Sequence, residues 1–321
     1  MQVQGKKIVV LGTGGTIAGT LSSPTGSAYV AAQKTVAELL AALPRPAAFA
    51  LESEQVAQID SKDMDLPVWQ ALLRRCRHWL AQPEVQGLVI THGTDTLEET
   101  AYLLQAVLAP SKPVVLTCAM RPADAIDADG PQNLLDAFAV VTEPDAQGVV
   151  AVCAGRILSA LDVQKVHTSQ LDAFRSGEAG DLGQVLQGRV ILARKWPQAP
   201  VKYAPDAIER IASLEALPRV EIVLSHAAAM GATVDALVAP DVAARFGSPP
   251  VQGLVVAATG NGTLHHSLEA ALQRAVAQGV RVVRATRCAQ GRVWPRPGDA
   301  WPDSEGLSPV KARLALMLEL V

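Results

Sequence analysis

Charge and aromatic rings are scarce in this chain. Charged residues make up 18% and aromatic residues 4% of its 321 positions, against 49% hydrophobic residues. A composition this apolar and weakly charged buries a large core and excludes a disordered chain. The net charge of −3 gives no general attraction for nucleic acid or acidic membrane surfaces. Long hydrophobic runs are also missing: Gly, Pro or a charge interrupts each within about ten residues, too short to cross a bilayer. The opening "MQVQGKKIVVLG" has no apolar signal core ending in small residues, so a cytoplasmic location is expected. The cysteines, Cys76, Cys118, Cys153 and Cys288, show no CxxC spacing. Neither a zinc site nor a thioredoxin-like pair is expected, and buried free thiols are. The histidines form no HxxxH or HExxH pattern, and His265–His266 is a weak pair. No metal and no cofactor is expected.

What is present is an alternation. Runs rich in Val, Ile and Leu at 6–12, 87–93, 112–118 and 148–154 read as buried strands. Between them, 35–43, 65–82, 96–109 and 130–143 have helical spacing. Such a pattern implies a parallel sheet covered on both faces. From about 178 to 219 the rhythm lapses into an irregular stretch rich in Gly and Pro. It resumes with strands at 220–226, 253–259 and 280–287, helices at 233–246 and 264–278, and a last amphipathic helix from Ser308. Leu264, Leu268, Leu272 and Val276 mark a core face. The expected fold class is α/β with two α/β domains. A larger N-terminal catalytic domain (1–190) has a mainly parallel sheet flanked by helices, 191–215 is a linker, and 216–321 is a smaller C-terminal α/β domain.

Two loops leaving buried strands are rich in Gly and Thr. In "VVLGTGGTIAGT" (9–20), Ile17 stands where a dinucleotide fingerprint needs a small residue, and no acidic residue follows about 20 positions on. The GK[ST] of a nucleotide-binding P-loop is absent. Taken alone, Gly14–Gly15 reads as a tight turn and Thr16 as a helix cap. The second loop, "VITHGTDTLEETAYLL" (89–104), repeats the Gly-Thr ending and adds Asp95. Its Thr96-x-x-Glu99 alone reads as a capping box. In an open parallel sheet the carboxyl ends of the strands share one crevice, so Thr16 and Thr94 would face the same space. A hydroxyl there is a poor nucleophile until a base takes its proton.

"TGGTIAG" (13–19) and "THGTDTLEETAY" (91–102) closely resemble the two signature motifs of bacterial-type L-asparaginases and glutaminase-asparaginases. The resemblance continues through "QIDSKDM" (58–64), "AMRPADAIDADGPQNLLDA" (119–137), "DVQKVHTSQLDAFRS" (162–176), "GNGTL" (260–264) and "VKAR" (310–313). It implies an amidohydrolase that converts L-asparagine to L-aspartate and ammonia through a threonine acyl-enzyme, with glutaminase activity left open. Thr16 falls on the nucleophile and Tyr29 on the tyrosine of a mobile lid (20–30). Thr94, Asp95 and Lys165 fall on a second polar triad, in which Lys165 relays a proton and Asp95 offsets its charge and receives the substrate ammonium.

Ser61 falls on the position that binds the α-carboxylate, and Ala119 on a backbone position lining the amide end. Thr263 stands where many members have Asn or Ser contributed by a neighbouring subunit. The resemblance thus implies a small-molecule substrate and a homo-oligomer, dimer or tetramer, with sites near subunit interfaces. Two departures bear on substrate choice. Lys62 replaces a glutamine that helps hold the α-amino group, and a cation there is unfavourable unless it pairs with Asp60 or Asp63. The late acidic residue of a neighbouring subunit has no clear counterpart, leaving Asp303 and Glu305. Two alternative readings stand beside this one. An asparaginase-like subunit of a tRNA-dependent amidotransferase carries an extra N-terminal domain, whereas the first motif here begins at residue 13. A non-catalytic amino-acid sensor would have lost one of Thr16, Thr94, Asp95 or Lys165, and all four are present.

Overall fold

The apolar runs of the sequence become strands of two separate sheets. The computed structural model describes residues 6–23, 28–44, 49–197, 203 and 206–321. It divides into two units, Met1–Ala212 and Ser213–Val321. In chain order the first unit contains β1 (Lys7–Gly14), β2 (Thr20–Leu21), β3 (Tyr29–Val30), α1 (Val36–Ala41), β4 (Ala50–Ile59), α2 (Leu66–Leu80) and β5 (Val85–Thr91). Then come α3 (Leu97–Leu108), β6 (Pro113–Thr117), α4 (Gly130–Thr142), β7 (Gly148–Cys153), β8 (Arg156–Ser159), β9 (Gln164–Lys165) and β10 (Phe174–Arg175). The hairpin β11 (Gly183–Leu186) and β12 (Arg189–Leu192) follows, and α5 (Ala207–Ser213) runs to the boundary.

The main sheet has the order β12–β11–β8–β7–β6–β5–β1–β4. Strands β4, β1, β5, β6 and β7 are parallel, and β8, β11 and β12 extend one edge antiparallel. Ile8, Val10, Val89, Val115 and Val150 pack with Leu134, Phe138 and Val141 of α4. The alternate residues Val9, Leu11, Leu88, Ile90, Val114 and Leu116 are equally buried. Cover on both faces is why these strands read as unbroken apolar runs.

The edge strand β4 carries no such run and was not anticipated. Its polar residues have partners: Glu52 pairs with Lys7, and Glu54 with Arg75 and the Trp79 indole. The stretch expected to be irregular holds the β11–β12 hairpin, which continues the sheet, and α5 lies inside the expected linker 191–215. Residues 198–202, 204 and 205 of that linker lie outside the described residues.

The second unit contains β13 (Val220–Leu224), α6 (Ala232–Val238), α7 (Pro240–Arg245), β14 (Gly253–Ala258), α8 (His266–Ala277), β15 (Arg281–Thr286) and α9 (Pro309–Glu319). Its three strands are parallel, in the order β13–β14–β15. The single helix expected at 233–246 is two helices, because Pro240 has no N–H to continue α6 and instead opens α7. In α8, Leu268 and Leu272 are buried but Val276 is exposed. Steps of four residues overshoot each turn by about 40°, so the stripe drifts and Ala271 and Ala275 fill the core side. The last helix is not amphipathic: Lys311, Ala312 and Leu314–Leu318 are all buried, as in a helix enclosed by a core. Among the described residues, no helix is long and apolar enough to cross a membrane.

Candidate active site

The sheet order reverses between β1 and β5: from β1 the chain goes outward to β4, then returns to β5 on the other side. Loops at such a point run in opposite directions and leave a crevice at the carboxyl ends of the strands. Thr16 follows β1 and Thr94 follows β5. Glycines let the two loops meet. Gly14 and Gly15 have φ of 101° and 80°, and a Cβ on Gly15 would lie 2.3 Å from the Cα of Gly93. A Cβ on Gly93 would in turn lie 2.4 Å from Ser61 Oγ.

The first loop leads into a single 3₁₀ turn, Thr16–Ala18, not into an α-helix. Thr16 therefore caps no helix, and no helix dipole is available there for a phosphate. Instead its Oγ1 lies 2.9 Å from the Tyr29 hydroxyl. Tyr29 sits on β3, which pairs with β2. The base of this hairpin is fixed by Leu21 N–H donating to Asp124 Oδ1 (2.9 Å) and Ala123 N–H donating to Gly19 O (2.9 Å). Residues 24–27 of the expected lid lie outside the described residues.

The capping box expected at the second loop is not formed. Thr96 precedes α3 without making a side-chain cap, and its Oγ1 donates to the Ser61 carbonyl at 2.8 Å. Lys165 Nζ donates to Thr94 Oγ1 at 2.8 Å and pairs with Asp95 Oδ1 at 2.5 Å. Ser61 is likewise free of capping, because Asp60 caps its turn and Asp65 caps α2. Its Oγ accepts the Asp95 N–H at 3.2 Å.

Thr16, Tyr29, Thr94, Asp95 and Lys165 line one cavity of about 890 Å³, together with Arg121. Ser61 reaches this group through Asp95, and Ala119 is buried beside cavity-lining Met120. Lys62 does not line the cavity. Its ammonium pairs with Asp63 and lies 3.8 Å from Asp60, and the bond to Asp63 raises its pKa. Thr263 belongs to the second unit, where its Oγ1 donates to the Thr259 carbonyl at 3.0 Å. Asp303 also serves its own turn, its Oδ1 accepting the Glu305 N–H at 2.7 Å. Among the described residues, no group of three or more His, Cys, Asp and Glu could hold a metal ion. Three of the cysteines are buried free thiols as expected, but Cys288 is exposed.

His92 received no role from the sequence, although it lies inside the second motif. Its ring is fully buried between Gly93 O, 2.7 Å from Nδ1, and Thr100 Oγ1, 2.9 Å from Nε2. A carbonyl only accepts, so Nδ1 carries the proton and Nε2 accepts from Thr100. The Thr100 oxygen accepts in turn from the Trp69 indole N–H at 3.0 Å. Desolvation lowers the His92 pKa to about 4, and the ring stays neutral. Asp129 and Asn133 also went unassigned. They grip the backbone after β6 and lie inside the 119–137 stretch of the resemblance, as an acid and an amide four residues apart at a helix start.

Residues 7–198 match the family model described as the asparaginase N-terminal domain, and 219–321 the one described as the glutaminase/asparaginase C-terminal domain. Over 320 residues the chain is 38% identical to L-asparaginase 2 of Bacillus subtilis (strain 168), covering 98% of this chain and 82% of that protein. Over 324 residues it is 36% identical to the glutaminase-asparaginase of Pseudomonas fluorescens biotype A, covering 98% and 86%. A solved structure of a probable cytoplasmic L-asparaginase from Campylobacter jejuni is similar with a TM-score of 0.85 at 36% identity, covering 98% of this chain and 95% of that one. With both halves matched and both threonine loops in place, the chain belongs to the asparaginase and glutaminase-asparaginase family.

Proposed function

We propose that this chain hydrolyses the side-chain amide of L-asparagine to L-aspartate and ammonia, with Thr16 as the nucleophile. One observation carries the reading: two threonine hydroxyls, one 2.9 Å from Tyr29 and one 2.8 Å from Lys165, line a single cavity. Thr16 Oγ1 attacks the carboxamide carbon, and its proton is relayed through the Tyr29 hydroxyl, which accepts it as it gives its own onward to the departing nitrogen. Negative charge on the carbonyl oxygen is met by the backbone N–H of Thr16, since the Gly15 N–H before it is already given to the Ile59 carbonyl. Ammonia leaves, and water held at Thr94 attacks the ester carbon. Its proton is relayed through the Thr94 hydroxyl, which Lys165 holds, and returns to Thr16 Oγ1 as the ester bond breaks.

The same atoms suit an amino acid. Lys165 occupies Asp95 Oδ1, which leaves Oδ2 for the substrate ammonium. Ser61 accepts at Oγ from Asp95 N–H, so its own O–H remains to donate to the α-carboxylate. Lys62, tied to Asp63, tunes affinity from outside the cavity. Activity on glutamine is supported by the glutaminase-asparaginase relative. A homo-oligomer in which a neighbour's Thr263 completes the site is supported by the family resemblance. A cytoplasmic location is supported by the description of the solved relative, and cell fractionation tests it. The test of the function is ammonia release from L-asparagine, L-glutamine and their D-isomers by the purified chain without cofactor. Release from L-asparagine is expected, and silence on all four overturns the reading.

A further inference from the structure

After β6 the chain runs through Cys118 and Ala119 to Met120 and Arg121, the last two lining the cavity. Ala119 is 1% exposed. Neither its N–H nor its C=O has a hydrogen-bond partner among the described residues. Buried backbone groups are almost always paired, so two orphans on one residue next to cavity-lining Met120 call for a ligand.

The peptides on either side are held tightly. Asp129 accepts Met120 N–H at 3.1 and 3.0 Å, through Oδ1 and Oδ2, and Arg121 N–H at 2.9 Å. Asn133 Nδ2 donates to Cys118 O at 2.9 Å and to Asp129 Oδ2 at 3.2 Å, while its Oδ1 accepts Ala154 N–H at 2.9 Å. No cis peptide bond is present among the described residues. In a planar trans peptide the N–H and C=O point opposite ways. Fixing Met120 N–H on Asp129 therefore turns the Ala119 carbonyl away from that carboxylate, and fixing Cys118 O on Asn133 sets the Ala119 N–H likewise. Close packing keeps this unit beside the nucleophile loop: a Cβ on Gly130 would lie 2.9 Å from Ile17 Cγ1 and 3.5 Å from Ala119 Cβ.

We propose that Asp129 and Asn133 are positioning residues that aim the Ala119 carbonyl at the leaving nitrogen, making the site selective for amides over esters. The inference rests on the amidohydrolase reading above. When Thr16 Oγ1 bonds to the carbonyl carbon and the C–N bond breaks, the threonine proton leaves with the nitrogen as ammonia. The nitrogen gains positive character on the way, so an N–H donated to the Ala119 carbonyl strengthens in the transition state. The carboxylate of Asp129 at the N–H end of the same peptide polarises that carbonyl further. An ester oxygen carries no hydrogen and gains nothing from the contact.

The test compares the wild-type chain with Asp129→Asn and Asn133→Ser on L-asparagine and on L-aspartate β-methyl ester. It measures kcat/KM, which reports the steps through acylation, alongside thermal unfolding. The asparagine amide is expected to slow about tenfold or more while the ester changes less than about threefold. Equal losses on both substrates, as from general damage to the site, overturn the proposal, and so does no loss on either. If one variant does not fold, the other decides. A wild type silent on both substrates overturns the amidohydrolase reading itself. An active wild type whose variants lose no amide selectivity overturns this inference alone.

Discussion

Thr16 and Thr94 have different partners although each follows a strand in the same Gly-Thr pair. One is bonded to a tyrosine and the other to a lysine paired with an acid. Thr16→Ala and Thr94→Val should each lower turnover at least about 10²-fold with folding intact. A near-normal rate in either would place the chemistry elsewhere. Lys62 faces Asp63, so Lys62→Gln should shift KM for asparagine more than kcat, and an unchanged KM would separate it from substrate choice. His92 gives a pH signature. Its pKa of about 4 in the folded chain lies below the ordinary value, so the unfolded chain takes up the proton first as pH falls. Stability should therefore fall from about pH 6.5 to pH 4, by about 3 kcal/mol in all. Urea midpoints across that range should fall less steeply in His92→Asn, and an identical slope would contradict the assignment. These residues differ in how legible they were. Thr16, Thr94, Asp95 and Lys165 present reactive side chains inside recognisable motifs. His92, Asp129 and Asn133 act by gripping backbone carbonyls and N–H groups, which leaves little trace in residue type.

Elements buried on both sides were the readable ones. The central strands and the four helices that cover them show in the sequence because burial on every face demands apolar runs. The edge strand β4 was missed because its glutamates and glutamines are satisfied by partners such as Lys7, Arg75 and Trp79. The short antiparallel pairs are too brief for any periodicity to show. Pro240 did signal the break between α6 and α7, but the apolar spacing on either side hid it. The meeting of the two threonine loops is the element-scale feature that builds the site. Gly15→Ala adds a Cβ 2.3 Å from Gly93 Cα at a φ of +80°, and should cost about 3 kcal/mol or more with a large loss of turnover. Gly188 has a φ of +72° but open space around it. Gly188→Ala should cost only about 1–2 kcal/mol and leave turnover unchanged. Thermal unfolding and ammonia release on the pair check both, and a fully active Gly15→Ala would show that loop contact is not what sets the geometry.

At the scale of the whole molecule, function was legible because the motifs occur together and in order along nearly the entire chain, where each alone has a bland rival. Assembly was less so, since a single chain does not display its neighbours. Ile126, Val166 and Leu171 are exposed apolar residues of the first unit, a kind of surface that association covers. Light scattering should find a dimer or larger, and a monomer would contradict the oligomer. The central claim is a covalent ester on Thr16. It is tested most directly by incubating Thr94→Val, in which hydrolysis of that ester is slowed, with L-asparagine, quenching in acid and mapping peptides by mass. The peptide containing Thr16 should gain one aspartyl group; an aspartyl group on another peptide, or ammonia release with none on any, would contradict the account.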